Sequence, residues 1–118
     1  MKIAVLIASD AGAETAGIIR QELKEEITVF SAIEREGCVA VASIGEFVRE
    51  CFNEYDAFVF VGAMGICVRA IAPCIASKYT DPAVVNVDVT GRFAVSVLSG
   101  HIGGANELTR RLARVLGG

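Results

Sequence analysis

Tryptophan is absent from this chain, histidine occurs once and proline twice. One imidazole cannot build a multi-histidine metal centre, and the four cysteines do not make up the difference. Cys38, Cys51, Cys67 and Cys74 lie 13, 16 and 7 positions apart, so there is no CxxC pair and no zinc-finger spacing. No metal site is expected. No apolar run reaches the ~20 residues of a membrane span. The longest, such as AFVFVGAMGICV, are broken by glycine. The opening MKIAVLIASD has a lysine and an apolar stretch but no small-residue cleavage site, so it reads as a first strand rather than a secretory signal. Low-complexity tracts and internal repeats are missing too. With 53% hydrophobic and 21% charged residues, the chain is not of the disordered class. The cysteines then read as free, mostly buried thiols in a reducing, cytoplasmic compartment.

The 118 residues form one expected domain, 1–118, long enough to bury a sizeable core. The net charge of −3 is unevenly spread. Residues 1–61 carry 5 Lys and Arg against 11 Asp and Glu, whereas residues 62–118 carry 6 against 3. An acidic total argues against nucleic-acid binding. A basic second half suits an anionic small-molecule ligand. For Arg110, Arg111 and Arg114 the plainer reading is preferred, a solvated basic face at the negative end of the last helix.

Apolar runs of strand length alternate with helical patterns. KIAVLIAS, ITVFSA and DAFVFVGA read as strands, the first and third buried on both faces. Between them, a helix after DAGAET places Ala16, Ile19 and Leu23 on one stripe. A second helix begins at Ser43, with Glu46 three residues on as a capping box, and Phe47, Cys51 and Phe52 form its apolar face. EREGCVAVA is ambiguous, with Cys38–Ala42 a candidate short extra strand. MGICVRAIAPCIA is a third helix that Pro73 should end or kink, and its apolar character predicts that it is mostly buried. AVVNVD and RFAVSVLS are joined by VTG as a hairpin, and the last helix covers Ala105–Leu116. The expected fold class is α/β: a three-layer α/β/α domain with a mostly parallel sheet of about five strands, the last two forming a hairpin.

Three turns leave a strand and enter a helix: Ser9–Gly12, Gly62–Gly65 and Ser99–Gly104. Ligands of open α/β sheets bind at the carboxyl ends of strands. If the last strand runs parallel to the first and third, all three turns share one rim. Gly62, Gly65, Gly100, Gly103 and Gly104 would let a ligand approach the backbone near helix N-termini, or would simply allow tight packing. GAMGIC is neither a Walker A loop nor a dinucleotide fingerprint. Arg69, amid apolar neighbours, is either a carboxylate-binding guanidinium or the partner of Asp81 or Asp88. His101 is either a proton carrier or a structural hydrogen-bond donor. Ser99 lacks a relay and a nucleophile elbow. Asp81, before Pro82, is extended and could merely start a strand.

GAMGICVRAIAP, then K-x-TDPAVVNVD, then GRFAVSVLSGHIGGANELTRRLA together resemble the N-terminal region of the CbiG family, the cobalt-precorrin-5A hydrolases of cobalamin biosynthesis. The resemblance covers about Gly62 to Ala113; residues 1–61 match only in pattern. It implies the anaerobic route, in which the δ-lactone of a cobalt-corrinoid is opened and a two-carbon fragment leaves as acetaldehyde. No separate cofactor is implied, because the cobalt belongs to the substrate. That substrate carries several carboxylates, which suits Arg69 together with Lys78 and Arg92. The motif positions are Gly62, Gly65, Arg69, Thr80, Asp81, Ser99, Gly100, His101, Gly103, Gly104 and Asn106. His101 is the expected general base, with the N–H groups near Gly103 and Gly104 steadying an oxyanion. The other motif residues except Thr80 are expected to bind substrate. Family members continue into a second α/β domain, so a C-terminal domain or partner chain is an expected partner, and the isolated domain is expected to be inactive. Homodimers through the apolar surface left by that domain are a further expectation. Two alternatives stand beside this reading: a non-catalytic corrinoid-binding module acting with a partner chain, and a flavodoxin-like anion-binding domain.

Overall fold

The computed structural model describes residues 1–117. The elements run β1 (Lys2–Ile7), α1 (Asp10–Glu22), β2 (Glu26–Ser31), β3 (Val39–Ala40), α2 (Ile44–Cys51), β4 (Ala57–Val61), α3 (Met64–Ile71), β5 (Ala83–Val87), β6 (Ala94–Leu98) and α4 (Ala105–Val115). One six-stranded sheet has the order β3-β2-β1-β4-β5-β6. Every pairing is parallel except β5 with β6. Leaving aside the two-residue β3, the remaining five strands follow the expected architecture, hairpin included. The extra strand is the ambiguous segment of the sequence, and it pairs only through Phe30–Val39 and Ser31–Ala40.

The continuous apolar runs become central strands because both faces of the sheet are covered. On one face Ile3, Val5, Ile7, Val59 and Val85 pack under α1 and α4, with Ile19, Leu108 and Leu112 from the helices. On the other, Leu6, Phe30, Phe58 and Phe60 pack under α2 and α3, with Val48, Phe52 and Cys67. Ser9 caps α1 by accepting the Gly12 N–H at 3.3 Å, and Ser43 caps α2 by accepting the Glu46 N–H at 3.2 Å. Helix α3 stops at Ile71 and tightens into a 3₁₀ turn, Ala72–Cys74, with Pro73 inside it. Proline has no N–H to continue the α-helical ladder.

Two expectations are corrected here. Helix α3 is not mostly buried: Cys67, Ala70 and Ile71 face the core, while Met64, Ile66 and Val68 are 37%, 47% and 45% exposed. In this eight-residue helix only the stripe at i, i+3, i+4 faces the sheet. The four cysteines are free, but only Cys67 is fully buried. Burial pushes its thiol up to about 12. No helix among the described residues is long and apolar enough to cross a membrane.

Candidate functional site

The expected single rim does not form. Because β6 is antiparallel to β5, its carboxyl end lies at the opposite end of the sheet from those of β1 and β4. Ser9 and Gly62–Gly65 sit at one end. Ser99–Gly104 sits at the other, across strands that are about 16 Å long. The candidate residues therefore divide into two groups. Gly62, Gly65 and Arg69 accompany the β1/β4 end and the α2/α3 face. Asp81, Ser99, Gly100, His101, Gly103, Gly104 and Asn106 gather at the amino end of β5. Arg92, in the β5–β6 turn, is on the far side from His101.

The turn SGHIGGAN is built around its own backbone. Ser99 holds a left-handed conformation (φ 60°), which is uncommon for a residue with a side chain. It is buried, and its hydroxyl donates to the Asp81 carbonyl at 3.1 Å. A Cβ on Gly103 would lie 2.5 Å from the Ser99 Cβ, and one on Gly100 would lie 2.8 Å from the Asn106 amide oxygen. Gly104 enters α4 with φ 85°, a glycine conformation. The Ala105 and Asn106 N–H groups donate to the Ser99 and Gly100 carbonyls at 3.1 and 3.0 Å. Those two donors of the α4 N-terminus are thus satisfied internally, not offered to an anion. The N–H groups of Gly103 and Gly104 have no acceptor among the described residues. Every residue of the turn is occupied by this packing except His101 and Ile102, which are exposed.

The neighbouring loop is organised by Asp81. Its buried carboxylate accepts the N–H groups of Ala76 and Ser77 at 2.9 and 3.1 Å. That fixes the segment carrying Lys78 and Tyr79. Lys78, Ser99, Gly100, His101 and Ile102 line a cleft of about 170 Å³. On the other side of Ile102, a polar cavity of about 420 Å³ is lined by Asn53, Tyr55, Asp56, Thr80, Asp81 and Gly103, among others. Tyr55, Asp56 and Asn53 escaped the sequence reading because nothing in their own segment marks them. They become visible once the last strand is known to run backwards. Burial raises the Tyr55 hydroxyl above the usual tyrosine range.

Arg69 pairs with neither Asp81 nor Asp88. The Asp81 carboxylate is committed to its loop. Asp88 is taken by the β5–β6 turn, where it accepts from the Thr90 hydroxyl and from the Phe93 N–H at 2.6 Å. Burial raises the Asp88 carboxyl, but these bonds outweigh it and hold the group below its usual range. Arg69 makes no ion pair or side-chain hydrogen bond among the described residues. The arginines of α4 do pair: Arg111 with Glu25 at 2.8 Å, and Arg110 and Arg114 more loosely with Glu107. Among the described residues no cluster of three or more His, Cys, Asp or Glu could hold a metal ion.

Residues 46–118 match the family described as cobalamin synthesis G N-terminal. The chain is 54% identical over 69 residues to the cobalt-precorrin-5A hydrolase of Salmonella typhimurium, which covers 58% of this chain and 20% of that protein. It is 47% identical over 74 residues to the cobalt-precorrin-5A hydrolase of Priestia megaterium, covering 63% of this chain and again 20% of the relative. The chain thus spans about a fifth of the length of the curated relatives it matches. A crystal structure of a cobalamin biosynthesis protein G homologue from Sulfolobus solfataricus superposes with a TM-score of 0.78 at 26% identity, over 97% of this chain and 34% of that one. With the matched region taking in the third helix, the hairpin and the histidine turn, this chain belongs to the cobalamin synthesis G N-terminal family.

Proposed function

We propose that this domain acts in cobalamin biosynthesis as the N-terminal part of a cobalt-precorrin-5A hydrolase, and that the His101 cleft faces the corrinoid. One observation carries the reading. In a turn where the backbone or packing occupies every other residue, His101 and Ile102 alone are exposed, and Lys78 lines the same cleft. Lys78 supplies positive charge for a substrate carboxylate. Asp81, Ser99, Gly100 and Asn106 serve by shaping the cleft.

In the lactone-opening step, His101 accepts a proton from water as the water oxygen bonds to the lactone carbonyl carbon. The carbonyl then re-forms, the ring C–O bond breaks, and the imidazolium returns its proton to the departing alkoxide. Gly103 lines the neighbouring cavity across Ile102 and not this cleft, so no oxyanion role is assigned to it or to Gly104. Loss of the two-carbon fragment as acetaldehyde belongs to the whole protein. The protein is soluble in this reading and works in the cytoplasm, and the rest of the hydrolase is its partner.

A second reading is favoured by one detail: His101 has no hydrogen-bond partner among the described residues to orient its ring. The domain would then bind the corrinoid while catalysis resides in the rest of the protein. The test is acetaldehyde release by a chimera in which this chain replaces the matching segment of the Salmonella typhimurium relative. His101→Ala should slow turnover ~10²-fold or more if the imidazole moves the proton. Unchanged kcat with a raised KM assigns the domain to binding, and unchanged values of both remove His101 from the site.

A further inference from the structure

The last strand is the least protected part of the sheet. β6 lies at its edge, with no strand beyond it among the described residues. The opposite edge ends in β3, whose two residues are too few to template a partner. β6 has five, AVSVL, with no proline and no charged residue to guard it. Its free backbone groups follow from the register. The Asp88 N–H donates to the Phe93 carbonyl at 3.2 Å, and the pairing continues through Val87–Ala94, Asn86–Val95 and Val85–Ser96. Hydrogen-bonded and non-bonded pairs alternate along an antiparallel ladder. Val95 therefore turns its N–H and C=O toward β5, while Ala94 and Ser96 turn theirs to the open edge. The register shift at Val84/Val85 lies past these residues. One face of the strand is bare as well. Ala94 packs with the α1/α4 cluster. Val95 turns to the other face, where it is 44% exposed, and Phe93 just before the strand is 68% exposed.

The path of the chain selects the partner. Helix α4 starts beyond the end of β6 and runs back to its beginning: a Cβ built on Gly91, in the β5–β6 turn, would lie 3.4 Å from the Leu116 Cδ2. A strand following α4 would run in the direction of β6. Crossovers between parallel strands are right-handed. The β1–α1–β2 crossover uses the α1/α4 face and steps toward β3. β6 runs opposite to β1, and α4 lies on that same face. The same hand therefore steps the other way, off the free edge. The stretch shared with the matched relatives is 20% of each, and the family is described as N-terminal, so in them further chain follows this domain. We infer that the open edge of β6 is the docking site for the rest of the hydrolase, which adds an extended segment there as a seventh strand, parallel to β6, with apolar side chains against Phe93 and Val95. This rests on the reading of the domain as the N-terminal part of a longer hydrolase, and not on the role of His101.

The test is amide hydrogen exchange by NMR, on this chain alone and on the chimera with the Salmonella typhimurium relative. In the chain alone, the Ala94 and Ser96 amides should exchange freely while Val95 is protected. In the chimera, Ala94 and Ser96 should exchange at least ~10-fold more slowly. Ser96→Pro removes an edge donor and no bond of the β5–β6 ladder, so the isolated chain should keep its melting temperature within a few degrees. In the chimera the same change should return Ala94 to free exchange. Exchange of Ala94 and Ser96 at the same rate in chain and chimera would overturn the inference, and this comparison of unsubstituted proteins stands even if the proline variant does not fold. Continued protection of Ala94 in a folded Ser96→Pro chimera would overturn it too. Protection already present in the chain alone and rising with its concentration would give the edge to a second copy, and would equally overturn it. The readout is independent of activity. An inactive chimera with a protected edge keeps the docking site and removes the hydrolase reading, and an active chimera with a free edge does the reverse.

Discussion

Gly103 and Ser99 are packed so closely that a methyl group on Gly103 would come 2.5 Å from the Ser99 Cβ and 2.9 Å from the Ser99 carbonyl oxygen. This contact closes the turn on which His101 sits. Gly103→Ala is expected to force the turn open at a cost of about 2–3 kcal/mol, lowering the melting temperature by roughly 10 °C. His101→Ala, at an exposed position, should stay within about 0.5 kcal/mol of the parent. Thermal melts of the two variants decide the matter, and a Gly103→Ala protein as stable as its parent would mean that the glycine serves a ligand rather than the fold.

Ser99 contributes in two opposing ways. Its left-handed backbone is unfavourable, while its hydroxyl satisfies the buried Asp81 carbonyl. Ser99→Ala keeps the strain and loses the bond, so a loss of about 1–3 kcal/mol is expected in denaturant unfolding. Ser99→Gly loses the same bond but relieves the strain, and should be the milder change.

Cys67 is buried at the base of α3, and burial pushes its thiol up to about 12. Almost none of it is thiolate at pH 8, and the thiolate is the reacting form. In native protein treated with iodoacetamide, peptide mass spectrometry should find Cys67 modified last, with full reaction only in guanidinium chloride. Early modification of Cys67 would show that α3 opens readily from the sheet.

Glu25 binds the N-terminal ammonium and Arg111. The hydrogen bond from the ammonium, then that from Arg111, hold its carboxyl below the usual range, against a smaller opposing effect of burial. A folded-state value below the unfolded one gives stability that is present above the ordinary carboxylate value, 4.5, and lost as pH falls through the lowered one. Glu25→Gln should therefore melt a few degrees below the parent at pH 7, with the gap closing as the pH drops below about 4. Parallel melting curves at all pH values would contradict this coupling.

Much of the fold was legible. KIAVLIAS and AFVFV are apolar without alternation, the mark of strands covered on both faces, and both are central, whereas nothing in AVVNV told whether it lay at the edge. Ser43 caps the helix that follows it, as its spacing to Glu46 implied. The site was less legible because its layout depends on the direction of the last strand, and the shared rim requires a parallel strand although the hairpin read at VTG makes it antiparallel. Ser99–Gly104 and Gly62–Gly65 look alike along the chain, each a glycine turn between a strand and a helix. The VTG hairpin sends the first to the far end of the sheet. The exposure of Ile66 and Val68 was hidden for a related reason, since apolar composition marks a helix without saying which flank is covered.

The most direct test of the role proposed for the histidine turn is an absorbance titration of this chain with a cobalt-corrinoid carboxylate, compared between the parent and His101→Ala. The expected result is saturable binding by the parent that weakens by about tenfold or more in the variant, with the fold intact by circular dichroism. Equal binding by both proteins would contradict the placement of the substrate at His101.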